Sequence, residues 1–221
     1  MAYSVIGIIN LGYSRIGVSR ISTLIEDSEE RIAATTVWEY VRDLVLEAKD
    51  WRFAKTRAIL AQNVETPEYG YDYAYTLPAD FLRLCMQKKG DPPIYPSGAY
   101  ASAWTADGLT IRARQYGYII ETLADGTLCI FTDYDNSDGY ELYMTYIRRE
   151  VDPARYTAHF ISTLAFRIAA ELALTRTESR SKFSDMMTLY ELELSKAEGL
   201  NRHGDYIQDE TGSTAWENAG R

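Results

Sequence analysis

The stretch YGYDYAYTLPADFLRL, residues 69–84, decides how this chain is divided. Its tyrosines occupy every second position, and residues two apart share one face of a β-strand. The spacing predicts one strand that carries four phenol rings on one side: Tyr69, Tyr71, Tyr73 and Tyr75. Because proline cannot donate a backbone hydrogen bond, the strand is expected to end at Pro78. A short apolar run after Asp80 then returns the chain to the core.

The residues before this stretch have helical spacing. Residues 3–12 predict a short helix, with a linker beginning at Gly12. Asp27 and Glu30 have the spacing of a capping box, which predicts that a second helix starts near Ser28. Its apolar stripe is Ala33, Val37, Tyr40, Val41, Leu44 and Ala48. Helical structure is expected to continue over residues 54–60.

The residues that follow the stretch first show the sequence pattern of β-strands. Period-two runs predict strands within residues 109–115, 116–123, 126–134 and 140–149. The Asp125-Gly126 dipeptide predicts a tight hairpin, and residues 133–139 predict a second, looser hairpin loop. This loop resembles a calcium-binding loop only in part, because Asp138 and Met144 stand where that motif needs Gly and Glu.

The helical period returns at Asp152-Pro153, which predicts an N-cap followed by proline at the first helical position. One stripe contains Phe160, Leu164, Ile168 and Leu172, with Ala165, Ala169 and Ala173 beside it. After a break near residues 176–181, a last helix has the stripe Phe183, Met186, Met187, Tyr190, Leu194 and Ala197. The chain therefore predicts an α+β fold: a helical bundle (1–62 and 150–203), an antiparallel β-rich insert (63–149) and an extended C-terminal tail (204–221).

Composition narrows the function classes. The 221 residues carry a net charge of -9, which disfavours a general nucleic-acid binder, because phosphate contacts need clustered Lys and Arg. Cys85 and Cys129 are too few for a disulfide framework and predict reduced core thiols of a protein made in a cytosol. No signal peptide or membrane span is expected.

No catalytic or metal-binding motif is evident. The histidines, His159 and His203, have no partner at metal-ligand spacing, and neither phosphate-binding glycine motifs nor a nucleophile elbow are present. We therefore expect no catalytic residues, no metal and no cofactor.

Four stretches give this chain a resemblance to the tail tubular protein A family, the head-to-tail adaptors of short-tailed bacteriophages. They are INLGYSRIGVSRISTLIEDSEER, VRDLVLEAKDWRFAKTRAILA, YGYDYAYTLPADFLRL and the Ala-rich helix after Asp152-Pro153 with the helix and Trp-containing tail that follow. The second stretch has Arg42, Trp51, Phe53, Ala54 and Arg57 in the family's arrangement. The chain departs from the family at NLGYSRIG, where an Ala-Leu pair is common, and at AKDW, where a His-Pro often precedes the tryptophan.

The resemblance implies a virion protein of the phage neck, made in the host cytoplasm. It would form a ring of twelve copies below the portal protein, extend the DNA channel and anchor the tail nozzle protein. Genomic DNA would pass without sequence-specific binding, and no membrane is involved. We expect the channel to be lined more by acidic than by basic residues, so that DNA slides without sticking.

Interface residues follow from this expectation. The polar tail would gain by docking its tryptophan in a groove of the portal, which points to Tyr206, Ile207 and Trp216. Contacts with the nozzle or with neighbouring subunits are expected at the tyrosine row, at Pro93, Ile94 and Tyr95, and at Asp135 and Asn136 of the second hairpin loop. The residues expected in the core, where the bundle meets the insert, are Trp51, Phe53, Leu77, Pro78 and Phe81.

Two alternatives remain open at this point. A tail-associated cell-wall hydrolase would need a carboxylic acid in a cleft, for which Glu47 and Asp50 are the candidates. An unrelated carbohydrate-binding module could use the tyrosine row as a stacking surface.

Overall fold

The computed structural model describes residues 3–85, 94–96, 117–136 and 141–203. These residues form four α-helices, one short 3₁₀ helix and seven β-strands, so the predicted α+β fold is confirmed. The helices are α1 (Val5–Ile16), α2 (Glu29–Ala48), α3 (Ala158–Thr177) and α4 (Arg180–His203), and the 3₁₀ helix is Pro153–Arg155. The strands are β1 (Lys55–Gln62), β2 (Tyr73–Thr76), β3 (Phe81–Leu84), β4 (Ile94–Pro96), β5 (Tyr118–Thr122), β6 (Leu128–Thr132) and β7 (Leu142–Arg148). The predicted tail 204–221 and the predicted strand at 109–115 lie outside the described residues.

Helix α3 is the centre of the bundle and packs against the three other helices. Every residue of its predicted stripe is buried, which confirms the spacing argument. The helix starts later than expected, since Asp152 caps the 3₁₀ helix and Thr157 caps α3 by accepting a hydrogen bond from the Phe160 amide. The predicted stripe of α4 also packs on this core, with Tyr190 and Ala197 buried.

The first helix extends beyond its predicted end. Gly12 does not begin a linker: it lies inside α1, where an added Cβ would stand 3.2 Å from the Ala165 carbonyl oxygen and 3.1 Å from Ile168. Glycine therefore lets α1 approach α3 closely. The helix ends at Gly17, whose positive φ of 76° is the left-handed conformation that glycine adopts without strain.

The second helix begins where predicted but by a different cap. Ser28, rather than Asp27, is the N-cap, because its hydroxyl accepts a hydrogen bond from the Arg31 amide. The buried face is turned relative to the predicted stripe: Val41 is buried, but Tyr40 is 58% exposed. The fully or nearly fully buried positions of α2 are Ala34, Trp38, Val41, Arg42, Val45 and Leu46.

Strand β1 corrects the predicted boundary of the bundle. Residues 55–62 were expected to belong to the helical part, but they pair antiparallel with β7, from Lys55 opposite Ile147 to Leu60 opposite Leu142. The sheet order is β3-β7-β1-β2-β6-β5, and β4 pairs with β7 on the same edge as β3. The predicted strands around β5, β6 and β7 are confirmed. So is the hairpin turn, where Gly126 has a φ of 87° and the Asp125 carboxylate accepts from the Thr127 amide.

A cluster of aromatic rings joins the bundle to the sheet. Trp51 is buried beside Phe160, with ring centroids 4.9 Å apart in an edge-to-face arrangement, and its indole N–H donates to the Val45 carbonyl oxygen at 2.7 Å. Phe53 contacts both Phe160 and Tyr156, which also contact each other. The expectation that Trp51 and Phe53 are core residues at this junction is confirmed. Leu77 and Phe81 belong instead to the core of the sheet, and Pro78 is partly buried.

Candidate interaction surfaces

The tyrosine row does not form one strand. Only Tyr73 and Tyr75 lie in β2, while Tyr69 and Tyr71 lie in the loop that precedes it. Gly70 breaks the extended conformation, because its φ is 88°. Tyr69 is 86% exposed, whereas Tyr75 is completely buried. The prediction of four rings on one strand face is therefore wrong.

Tyr75 is a core residue and cannot contact a partner in this fold. Its hydroxyl donates to the Tyr134 carbonyl oxygen at 2.9 Å, and burial raises the pKa of the phenol, with Tyr134 and Asp135 adding to the effect. Tyr73 is partly buried and its hydroxyl bonds to Asp135; burial and this carboxylate raise the pKa of Tyr73. The backbone of Asn136 bonds to the Tyr75 hydroxyl. The structure thus brings four of the predicted interface residues together.

The other predicted contact residues are placed unevenly. Ile94 in β4 is partly buried against the same sheet core as Tyr75, opposite Met144 of β7, and Tyr95 pairs with Tyr143 in the next register position. Pro93 and the predicted portal contacts Tyr206, Ile207 and Trp216 lie outside the described residues.

Two loops expose apolar side chains, and of these only Tyr69 was singled out from the sequence. In the loop between α1 and α2, Ile25 is 91% exposed and Leu24 is 39% exposed, and Ile32 near the start of α2 is 45% exposed. We call Leu24, Ile25 and Ile32 the apolar knob. In the loop between β1 and β2, Val64 is 98% exposed and Tyr69 is 86% exposed. A short apolar pair inside a loop carries no periodicity, so sequence alone could not tell whether these side chains were buried.

The two loops adjoin different parts of the fold, one at the start of α2 and the other at the end of β1. The start of α2, next to the knob, is tied to the end of α3 by the ion pair of Glu30 with Arg176 at 2.7 Å. The end of α2 leads into the Trp51 cluster and the sheet. Since α2 has 20 residues and a helix rises about 1.5 Å per residue, these ends are about 30 Å apart.

Ion pairs fix the angle between α2 and the sheet. Asp43 of α2 bonds to Arg149, which follows β7, at 2.8 Å, and it also bonds to the buried Arg42. Arg83 of β3 donates to the Glu47 carbonyl oxygen at 2.6 Å and to the Asp50 carboxylate at 2.5 Å. Asp50 therefore helps to connect α2 to the sheet. Its side chain is 48% exposed, whereas the catalytic acid of a hydrolase needs an enclosed site.

Three further features bear on other kinds of site: possible metal ligands, the apolar helix α3 and the two cysteines. Among the described residues, no three His, Cys, Asp or Glu side chains are grouped as metal ligands would be. Helix α3 is long and apolar enough to cross a membrane, but 56% of that apolar window is buried inside the protein, as is usual for a core helix. Cys85 and Cys129 are buried and unpaired, and burial raises the pKa of the Cys85 thiol to about 11.

The chain matches no protein-family model, and no curated protein is significantly similar to it. The resemblance to the adaptor family therefore rests on the motif residues, and the function rests on what their geometry supports.

Proposed function

We propose that the protein is a structural head-to-tail connector of a phage virion, which forms a ring under the portal, extends the DNA channel and anchors the tail nozzle. The observation that carries the proposal is the exposure of apolar side chains in two separate loops: Ile25 in the loop before α2, and Val64 with Tyr69 in the loop after β1. A connector must bind different proteins at its two ends, and rigid exposed apolar residues are typical of such contacts.

The motif residues of the resemblance support this proposal through their structural roles. In the stretch LPADF, the Asp80 carboxylate accepts from the Tyr146 hydroxyl at 2.9 Å, and the Asp80 carbonyl oxygen accepts from the Arg149 amide at 2.7 Å. Phe81 packs on the Tyr146 ring at 5.9 Å. These contacts join β3 to β7 within the sheet, and the Trp51 cluster joins the sheet to the bundle. A subunit of a ring that surrounds a channel needs such a fixed joint between its two parts.

The geometry gives little support to the two alternatives, a cell-wall hydrolase and a carbohydrate-binding module. The proposed acid Asp50 is paired with Arg83, and the Glu47 backbone belongs to the same contact. The stacking surface of a carbohydrate-binding module would need several coplanar exposed rings, but the tyrosine row is divided between the core and a loop. We therefore retain the connector as the proposed function.

The partners proposed for this connector are the portal protein, the nozzle protein and further copies of the chain, twelve in the complete ring. Genomic DNA is the passing cargo, and the location is the tail of the virion. The acidic balance of the chain, with a net charge of -9, suits a channel that does not retain DNA. Mapping the channel in an assembled ring tests this point, and a lining made mainly of Lys and Arg would contradict it.

Binding to the portal tests the proposal directly. We expect the chain to co-sediment with portal protein from the same virus, and we expect removal of residues 204–221 to abolish the complex if the tail makes the portal contact. A truncated chain that binds as well as the full chain would refute the tail-docking part. A full chain that does not bind under any assembly condition would refute the connector.

A further inference from the structure

Helices α3 and α4 are joined by a very short turn that contains no helix-breaking residue. The turn is Glu178 and Ser179, between Thr177 at the end of α3 and Arg180 at the start of α4. Neither proline nor glycine occurs between residues 158 and 198, and glutamate is a strong helix former. The amino acids of the turn are therefore compatible with one continuous helix from α3 into α4.

The turn also contains a strained residue. Glu178 has a φ of 50° and a ψ of 21°, and it is the one non-glycine residue with a positive φ in the described part of the chain. This left-handed conformation brings the Cβ close to the following carbonyl oxygen, and a continuous helix would relieve that crowding. The closed turn is supported by Ser179, whose hydroxyl accepts a hydrogen bond from the Lys182 amide at 3.3 Å and so caps α4.

Helix α4 packs mainly on one partner, which is α3. Arg167 of α3 donates to the Met187 sulfur at 2.8 Å and also lies over the Tyr190 ring, 5.8 Å from its centroid. In the first turn of α4, Lys182 Nζ donates to the Ile16 carbonyl oxygen at the end of α1. All these partners belong to α3 and α1, so the bundle of a second copy offers α4 the same site.

We propose that two copies of this chain exchange α4. In the exchanged dimer the turn opens, α3 and α4 of each copy form one helix over residues 158–203, and α4 packs on the bundle of the other copy. The contacts of α4 are kept, because identical side chains receive it, while the strain at Glu178 is relieved. Short connections under strain favour such an exchange. The inference goes beyond the connector, since it requires neither portal nor nozzle.

The two bundles of the exchanged dimer meet at the end of α3, next to the opened turn. The start of α2 lies at this same end, because Arg176 of α3 bonds to the Glu30 carboxylate at 2.7 Å. Both elements expose an apolar side chain here: Leu174 of α3 is 44% exposed, and Ile32 of the apolar knob is 45% exposed. The exchange brings a second copy to the end of the bundle that exposes these side chains.

A distance within one chain distinguishes exchange from a dimer that associates by its surface. Spin labels are attached to His159→Cys and Ser195→Cys of the full chain, where both native side chains are exposed and the native thiols are buried. In the closed turn the labels lie on neighbouring antiparallel helices, whereas in one continuous helix they are about 54 Å apart. The labelled chain is mixed with excess unlabelled chain, warmed at high concentration to allow exchange, and the dimer is isolated by size.

We expect the isolated dimer to show the long distance and the monomer to show the short one. A dimer that keeps the short distance would overturn the inference, as would a chain that stays monomeric at every concentration up to its solubility limit. Portal binding by such a chain would leave the connector in place. The long distance in a chain that does not bind the portal would do the reverse.

Two substitutions in the turn should move the dimer equilibrium in opposite directions, measured as the dimer Kd by sedimentation. Glu178→Gly removes the strain of the closed turn and weakens the continuous helix by about tenfold at each of two turns, so Kd should rise about a hundredfold. Ser179→Ala removes the cap of the closed turn, by about fivefold at each turn, so Kd should fall about 25-fold.

The matched controls are Glu191→Gly and Ser184→Ala, which make the same replacements at exposed positions inside α4. These positions are helical in both states, so the controls should leave the dimer Kd unchanged. Shifts as large in the controls as in the turn variants, or shifts of Glu178→Gly and Ser179→Ala in the same direction, would overturn the exchange.

Discussion

Tyr75 and Tyr69 belong to the same sequence pattern but have opposite roles in the structure, so one pair of substitutions separates them. Tyr75 is fully buried and donates to the Tyr134 carbonyl oxygen, while Tyr69 is 86% exposed in a loop. We expect Tyr75→Ala to destabilise the fold strongly and Tyr69→Ala to leave its stability unchanged.

The magnitude follows from what Tyr75 loses. Truncation of a buried aromatic ring to alanine costs about 3–5 kcal/mol. The Tyr134 carbonyl oxygen also loses its donor, and an unsatisfied buried group costs about 1–3 kcal/mol. The two costs together are about 4–8 kcal/mol, and about 1 kcal/mol shifts the thermal unfolding midpoint of a chain of this size by about 2–4 °C, so Tyr75→Ala should lower Tm by about 8–32 °C. Tyr69→Ala should change stability by less than about 0.5 kcal/mol.

The assay is thermal unfolding followed by circular dichroism, with urea unfolding of the same samples. If Tyr75→Ala does not fold, Tyr75→Phe keeps the ring and removes only the hydroxyl, at an expected cost of about 1–2 kcal/mol. Equal effects of the substitutions at positions 69 and 75 would refute the division of the row into a core residue and a surface residue.

Other predictions concern loops and helix contacts. Hydrogen bonds from Ser22, Ser28 and Thr23 lower the pKa of Glu26 from 4.5 to about 2, so this carboxylate contributes stability that is present above pH 4.5 and is lost as the pH falls toward 2. Glu26→Gln should therefore be less stable than the wild type at neutral pH, and the difference should shrink between pH 4.5 and 2 in acid titrations of unfolding; a constant difference would count against this role. Gly12→Val should destabilise by about 1–3 kcal/mol, because α3 leaves no room for the side chain. Gly7→Ala, on the exposed side of the same helix, should raise the free energy of unfolding in urea by about 0.5–1 kcal/mol. If Gly12→Val were more stable than Gly7→Ala, the packing of α1 on α3 would be contradicted.

The features that were predicted correctly are those determined by residues close together in the sequence. The stripe of α3 predicted its buried face correctly, because four-residue spacing around an apolar helix leaves one solution. The start of α2 was predicted to within a residue, although Ser28 replaces Asp27 as the cap. The hairpin at Asp125-Gly126 was predicted because its turn conformation is a property of the glycine itself.

Non-local features were missed. The segment KTRAILAQ contains Ala and Leu, which favour helices, and it becomes β1 only because it pairs with β7, more than 80 positions later in the chain. Alternation of tyrosines suggested one long strand, but alternation says nothing about the φ of Gly70, which ends it. The exposure of Ile25 was equally hidden, since it depends on the hydrogen bonds that Glu26 makes within its loop.

The central claim is that this chain is a ring subunit between portal and nozzle, and two-dimensional class averages of the chain mixed with its portal test it most directly. The proposal predicts a coaxial ring of extra density on one end of the portal, with the symmetry expected for twelve copies and an open central channel. Averages that show the portal alone, or single chains scattered over its surface without a closed ring, would contradict it.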